Sequence, residues 1–226
     1  MKELIVSIVV LSLLSTGSAS KSSLSEALAD AETKSAQMSQ IIKDKIFKLS
    51  DQTLSDAIAL ARADDTVLQS FERSRYLPIT TDKVHHDQPE VKLITPYLLT
   101  VRKAYMKFEN DEDFSLTDAK KVVDDYANLL LLSFEVTAKG DEIDFARNVD
   151  ISLKQGSTVL HSYVIINKDN DAAESENWPN SPAYINRLFV PFDIFEINYA
   201  QDAELIYQYG SNKDTVTYKV DFSKIK

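Results

Sequence analysis

Between residues 21 and 77 the chain has neither proline nor glycine, although it carries 6 prolines and 4 glycines in all. Proline breaks a helix interior and glycine weakens one by about 1 kcal/mol, so a stretch of this length without either, rich in Ala, Leu, Glu, Lys, Gln and Asp, predicts helices. Leu24, Leu28, Ala31, Ser35, Met38, Ile42, Lys45 and Leu49 follow steps of four and three, and the polar Ser35 and Lys45 interrupt the seam. That favours an amphipathic helix packed within its own protein over an intermolecular coiled coil. Ser50 or Asp51 can cap a second helix carrying Leu54, Ile58 and Ala61, and Asp64 or Asp65 a third carrying Val67, Leu68 and Phe71.

The later part of the chain reads differently. Residues 78–96 hold Pro78, Pro89 and Pro96 and read as a connector. Residues 97–108 mix β-branched and aromatic side chains with polar ones and predict a strand ending at the acidic turn 110–113. Ser115 and Asp118 form a capping-box variant that opens a helix, with Val122, Val123, Tyr126, Leu129 and Leu130 as its expected buried face. Beyond it, Gly140, Gly156 and Gly210 separate strand-like runs at 133–137, 143–153, 158–166, 185–197, 203–209 and 215–222, as hairpin turns needing positive φ would. The alternation is clearest at the end, with Val216, Tyr218, Val220 and Phe222 on one face. The expected fold class is α+β. A leader at 1–20, a helical segment at 21–77 and the connector at 78–96 precede a mainly antiparallel β-sandwich, immunoglobulin-like in kind, at 97–226, with one inserted helix near 115–130.

The leader follows from Lys2, an apolar run over 4–14 and the small residues 15–20, the pattern of a secretory signal peptide cleaved after Ala19 or Ser20. The run is too short to span a bilayer, which takes about 20 residues, and no later stretch is apolar enough. The expectation is therefore an exported protein with no integral membrane segment after signal cleavage, in the periplasm or outside the cell. With no cysteine, stability must come from packing instead of disulfides. Removing residues 1–20 takes away Lys2 and Glu3 and leaves the net charge at -10. Such a surface repels phosphate backbones and anionic headgroups, so no nucleic-acid partner is expected.

Three short segments carry candidate chemistry. His85, His86 and Asp87 could contribute an imidazole and a carboxylate to Zn²⁺, with His161 as a further ligand if the fold brought it near. Asn167, Asp169 and Asp171 alternate as the start of an EF-hand loop does and suggest Ca²⁺, but Ala172 and Trp178 stand where that loop needs Gly and Glu. The more economical reading of both is a solvated polar segment, so no cofactor is assigned. Trp178, the single tryptophan, and Tyr184 lie in a polar loop with two prolines that could stack on a sugar or anchor a protein, whereas the usual fate of a lone tryptophan is to fold back as a plug over the sandwich core. No nucleophile elbow, phosphate-binding glycine loop or activated Ser-Lys pair occurs, and no catalytic residue is assigned. The favoured function is an exported, soluble, non-catalytic binding or structural module acting through protein-protein or glycan contacts. The alternative is an exported hydrolase, metal-dependent or not, without a recognisable motif.

Overall fold

A computed structural model describes residues 21–81, 88–210 and 213–225. Among them five α-helices accompany two four-stranded antiparallel sheets in a sandwich-like α+β arrangement. The helices are α1 (Lys21–Phe47), α2 (Asp51–Leu60), α3 (Asp65–Arg73), α4 (Pro96–Glu109) and α5 (Leu116–Ala127). The strands are β1 (Glu90–Ile94), β2 (Leu131–Gly140), β3 (Asp150–Gln155), β4 (Thr158–His161), β5 (Ala173–Glu174), β6 (Tyr184–Asp193), β7 (Ala203–Tyr209) and β8 (Asp214–Val220). One sheet has the order β1-β2-β6-β5, the other β4-β3-β7-β8.

The helix starts follow the local chemistry of the sequence. Ser50, Asp64 and Thr95 each accept a hydrogen bond from a backbone N–H three residues on, and Ser115 with Asp118 completes the capping box. The strand expected at 97–108 is instead α4. Pro96 stands in its first turn, and Leu98, Val101 and Ala104 recur at helical spacing on its buried side. Packing against α2 and α5 overrides the β propensity of Tyr97, Val101 and Tyr105. The first strand lies just upstream, at 90–94, inside the stretch read as connector.

Two further details depart from the sequence reading. Helix α5 ends at Ala127, and Leu129 and Leu130 are exposed in the turn that follows, Leu130 with φ +55°. Gly140 sits at the end of β2 and is needed for close approach instead of turn geometry: a Cβ there would lie 2.4 Å from the Phe145 ring. Gly156 and Gly210 have the positive φ that tight turns require.

The main core fills the space between the sheets with Phe134, Leu153, Leu188, Phe192, Leu205 and Tyr218, and it also takes in Ile46 and Phe47 from the last turn of α1. A second core of Leu54, Ala57, Ala61, Val101, Ala104, Ala119 and Val122 joins α2, α4 and α5, and Phe71 and Leu99 touch both. Small side chains at this second seam let the helices approach closely. The rest of described α1 is largely exposed, with Met38 and Ile41 facing solvent. A charge cluster fastens the helices to the first sheet. Arg102 on α4 donates to Glu72 on α3 and to Glu135 on β2, both at 2.7 Å, and Lys92 on β1 donates to Glu72 at 2.7 Å. Burial alone would raise the Glu72 carboxyl, but hydrogen bonds from Arg102 and Lys92 override it and hold it at about 2. Tyr126 on α5 closes the end of the β1–β2 ladder, donating to the Ile94 carbonyl at 2.8 Å and accepting from the Ser133 N–H at 3.3 Å.

Three sheet edges are covered. Residues 76–81 form a strap: the Leu77 N–H bonds the Val91 carbonyl on β1, and the Thr80 N–H and Pro78 carbonyl bond Thr217 and Lys219 on β8, each at 2.8 Å. It thereby links the edge of one sheet to the edge of the other. The outer edge of β6 is covered beyond β5 by the incoming loop 162–172. Ile166 exchanges backbone bonds with Phe189, and the side chains of Asn167 and Ser162 donate to the carbonyls of Arg187 and Pro191. Pro191 has no N–H to leave open. Covering edges in this way blocks pairing with other chains.

Candidate functional site

The β5–β6 end of the first sheet brings together two segments that the sequence marks separately. Chain 162–172 enters β5, a strand of only two residues, and chain 175–183 leaves it to return as β6. In register, Ala173 opposes Ile185 and Glu174 opposes Tyr184. An open cavity of about 380 Å³ lies here, lined by Thr137 from β2, Asn167, Asn170 and Asp171 from the incoming loop, Ala173 from β5, and Ile185, Asn186 and Arg187 from β6.

Asn167 organises the loop. It adopts φ +69°, a left-handed conformation that asparagine tolerates better than most residues. Its amide donates to the Arg187 carbonyl at 2.9 Å, its side-chain oxygen accepts from Asn170 at 3.1 Å, and its carbonyl accepts from buried Asn186 at 3.1 Å. Asp171 is ion-paired with Arg147 at 3.1 Å, and Asp169 is exposed. The side-chain oxygen of Asn167 and the carboxylate of Asp171, two of the groups proposed for Ca²⁺, thus have protein partners. Among the described residues no group of three or more His, Asp or Glu is placed to hold a metal. His85, His86 and Asp87 lie outside the described residues. His161 is exposed on β4, in register with Ser152.

Trp178 is 49% exposed, in the loop that begins one residue after β5. That loop is internally bonded: Ser175 is buried, its carbonyl accepts from the Trp178 N–H, its hydroxyl accepts from the Asn177 N–H at 3.1 Å, and the Asn180 N–H reaches the Asn177 carbonyl at 2.7 Å. The indole is therefore presented on an ordered turn. Tyr184 is half-buried at the start of β6, adjacent to Ile185 of the cavity. Sequence reasoning picked out Trp178, Tyr184, Asn167 and Asp171 but missed Thr137, Asn170, Asn186 and Arg187. Those four come from three separate segments: the β2–β6 register brings Thr137 beside Arg187 and Asn186, and the loop lays Asn170 against Asn186.

Chemically the cavity offers carboxamides, a hydroxyl, a guanidinium and one carboxylate around the apolar Ala173 and Ile185. The amide N–H groups of Asn167, Asn170 and Asn186 are bonded within the loop and to β6, so a polyhydroxylated ligand would meet mainly the Arg187 guanidinium, the Thr137 hydroxyl and the side-chain oxygens of Asn170 and Asn186, with Ala173 and Ile185 as apolar wall. Comparison with protein-family models, with curated proteins and with solved structures finds no match to the chain. Among the described residues no helix is long and apolar enough to cross a membrane.

Proposed function

We propose that this chain is an exported, soluble, non-catalytic binding module that holds a saccharide at the β5–β6 end of an immunoglobulin-like sandwich. The observation that carries this reading is the carboxamide-lined cavity along β6 together with the half-exposed Trp178 in the loop that leads from β5 into β6. Sugars are bound by planar hydrogen-bonding side chains together with an exposed aromatic ring, and both stand at this one end of the sheet. The sheet order β1-β2-β6-β5 opposite β4-β3-β7-β8 corresponds to strands ABED opposite C′CFG, with α4 and α5 inserted between A and B. Fold alone does not give function, so the site carries the argument. Export rests on the signal-like residues 1–20, which lie outside the described residues.

A glycoside hydrolase needs two carboxyl groups flanking the bond it cleaves. Among the described residues Asp171 is the one carboxylate lining the cavity, and Arg147 pairs with it. That disfavours the hydrolase. The test is a panel of immobilised oligosaccharides probed with the mature protein and with Trp178→Ala, alongside chromatography of the same sugars after incubation. Binding lost in the variant, with every sugar recovered intact, supports the module. Shortened sugars would establish a hydrolase, and a protein captured through Trp178 with no sugar bound would replace the saccharide by a protein partner.

A further inference from the structure

We propose that a second cavity, under the 76–81 strap on the opposite edge of the first sheet, is a binding site for a small organic oxyanion, a carboxylate or a phosphate. Where the strap crosses from β1 to β8 it leaves a cavity of about 270 Å³. Arg75, Lys219 and Lys224 line it against a single carboxylate, Asp221, and Leu93 and Ile225 form apolar wall. On a chain of net charge -10 this is a local reversal of sign.

The three cations are not equivalent. Lys219 is paired with Asp202 at 3.2 Å and Lys224 with Asp221 at 3.1 Å, whereas no ion pair or side-chain hydrogen bond engages Arg75 among the described residues. Its guanidinium lies over the Phe71 ring at 4.5 Å and near the Tyr97 ring at 6.0 Å, and its Nε is buried without a hydrogen-bond partner. Glu72, near the end of α3 and three residues before Arg75, attracts the guanidinium but is already bonded to Lys92 and Arg102. Burial disfavours the charged form of Arg75 and lowers its pKa from the usual arginine value. Holding a guanidinium partly desolvated is costly when, among the described residues, the acid that attracts it is shared with two other cations, and a bound oxyanion relieves that cost.

The chemistry narrows the ligand class. A guanidinium held over the Phe71 ring is a planar fork of donors, the chemistry suited to paired hydrogen bonds with a carboxylate or phosphate. Lys219 and Lys224 add flexible point charges, and α4 begins at the same cavity through its cap Thr95. Asp221 admits a hydroxyl or ammonium group on the ligand and rejects a second anionic group. The cavity is smaller than the roughly 300–1,000 Å³ typical of drug-sized ligands, so one sugar acid, sugar phosphate or small hydroxy acid fits its scale. This site is independent of the β5–β6 cavity.

The experiment is an amide ¹H–¹⁵N titration of the mature protein with glucuronate, glucose 6-phosphate and neutral glucose. The expected result is saturable shifts confined to residues 74–78 and 219–225 with at least one anion, weakened by salt and absent with glucose. The stronger anion identifies the carboxylate or phosphate source. Arg75→Gln is expected to weaken binding by about tenfold or more, and Lys224→Gln, at an exposed side chain, by a few-fold if Arg75→Gln fails to fold. Glucose binding equal to the anions, no saturable shift up to about 10 mM of either anion, or unchanged binding in the variants would overturn the proposal. Shifts confined to 167–187 would report the other cavity instead.

Discussion

The two long sides of the first sheet are closed by different means. On the β1 side the strap 76–81 uses three backbone bonds, Leu77 to Val91 and Pro78 and Thr80 to β8, and the hydroxyls of Thr80 and Thr81 add two more to Thr217. On the β6 side the loop 162–172 uses one backbone exchange at Ile166, and side chains of Ser162 and Asn167 supply the rest. A backbone closure fixes the chain at each rung and ties the two sheets together. A side-chain closure holds the loop at points and leaves room between them, and there the carboxamide-lined cavity and the Trp178 loop are found. The strap side therefore carries more of the cohesion between the two sheets, and each side leaves a cavity, one under the strap and one at the loop.

Removing residues 21–77 is the most severe change. It takes Ile46 and Phe47 from the main core, α2 from the second core, Glu72 from the charge cluster and Tyr76 and Leu77 from the strap. Loss of a cooperative thermal transition is expected, monitored by circular dichroism. Thr80→Pro is next. It deletes the N–H that bonds Thr217 and forces a new backbone restriction, with an expected loss of about 1–3 kcal/mol in urea unfolding. Asn167→Ala on the other side loses the bond to Arg187 and puts a Cβ-bearing residue without a polar side chain at φ +69°, with an expected loss of about 1–2 kcal/mol. An equal or larger loss from Asn167→Ala than from Thr80→Pro would reverse the assignment of cohesion to the strap.

Acid sharpens the same contrast. Because the Glu72 carboxyl falls from about 4.5 to about 2 on folding, its contribution is complete above the higher value and is lost as pH falls toward the lower one. Acid unfolding monitored over this window is expected to flatten in Glu72→Gln. Trp178→Ala should have the smallest effect on stability, within about 0.5 kcal/mol, because the indole is half exposed.

Much of this organisation is legible in local chemistry. The helix starts at Ser50, Asp64 and Ser115, the turn at Gly156 and the alternation from Val216 to Val220 all match their elements. The exchange of strand for helix at 97–108 was not legible, because Tyr97, Val101 and Tyr105 favour strands and only the seam against α2 and α5 decides otherwise. The two-residue β5 is too short to carry a period. Trp178 stood out by type. Arg75, in a charged helical stretch, carries no local signal until Phe71, Tyr97 and Lys219 are assembled around it.

Because Trp178 is the single tryptophan, its fluorescence reports directly on the proposed contact surface. Titrating the mature protein with the oligosaccharides it retains should give a saturable change in indole emission, weakened in Arg187→Ala at the exposed rim of the cavity. Saccharide binding established by calorimetry with unchanged Trp178 emission and undiminished affinity in Arg187→Ala would place the ligand elsewhere and contradict the account.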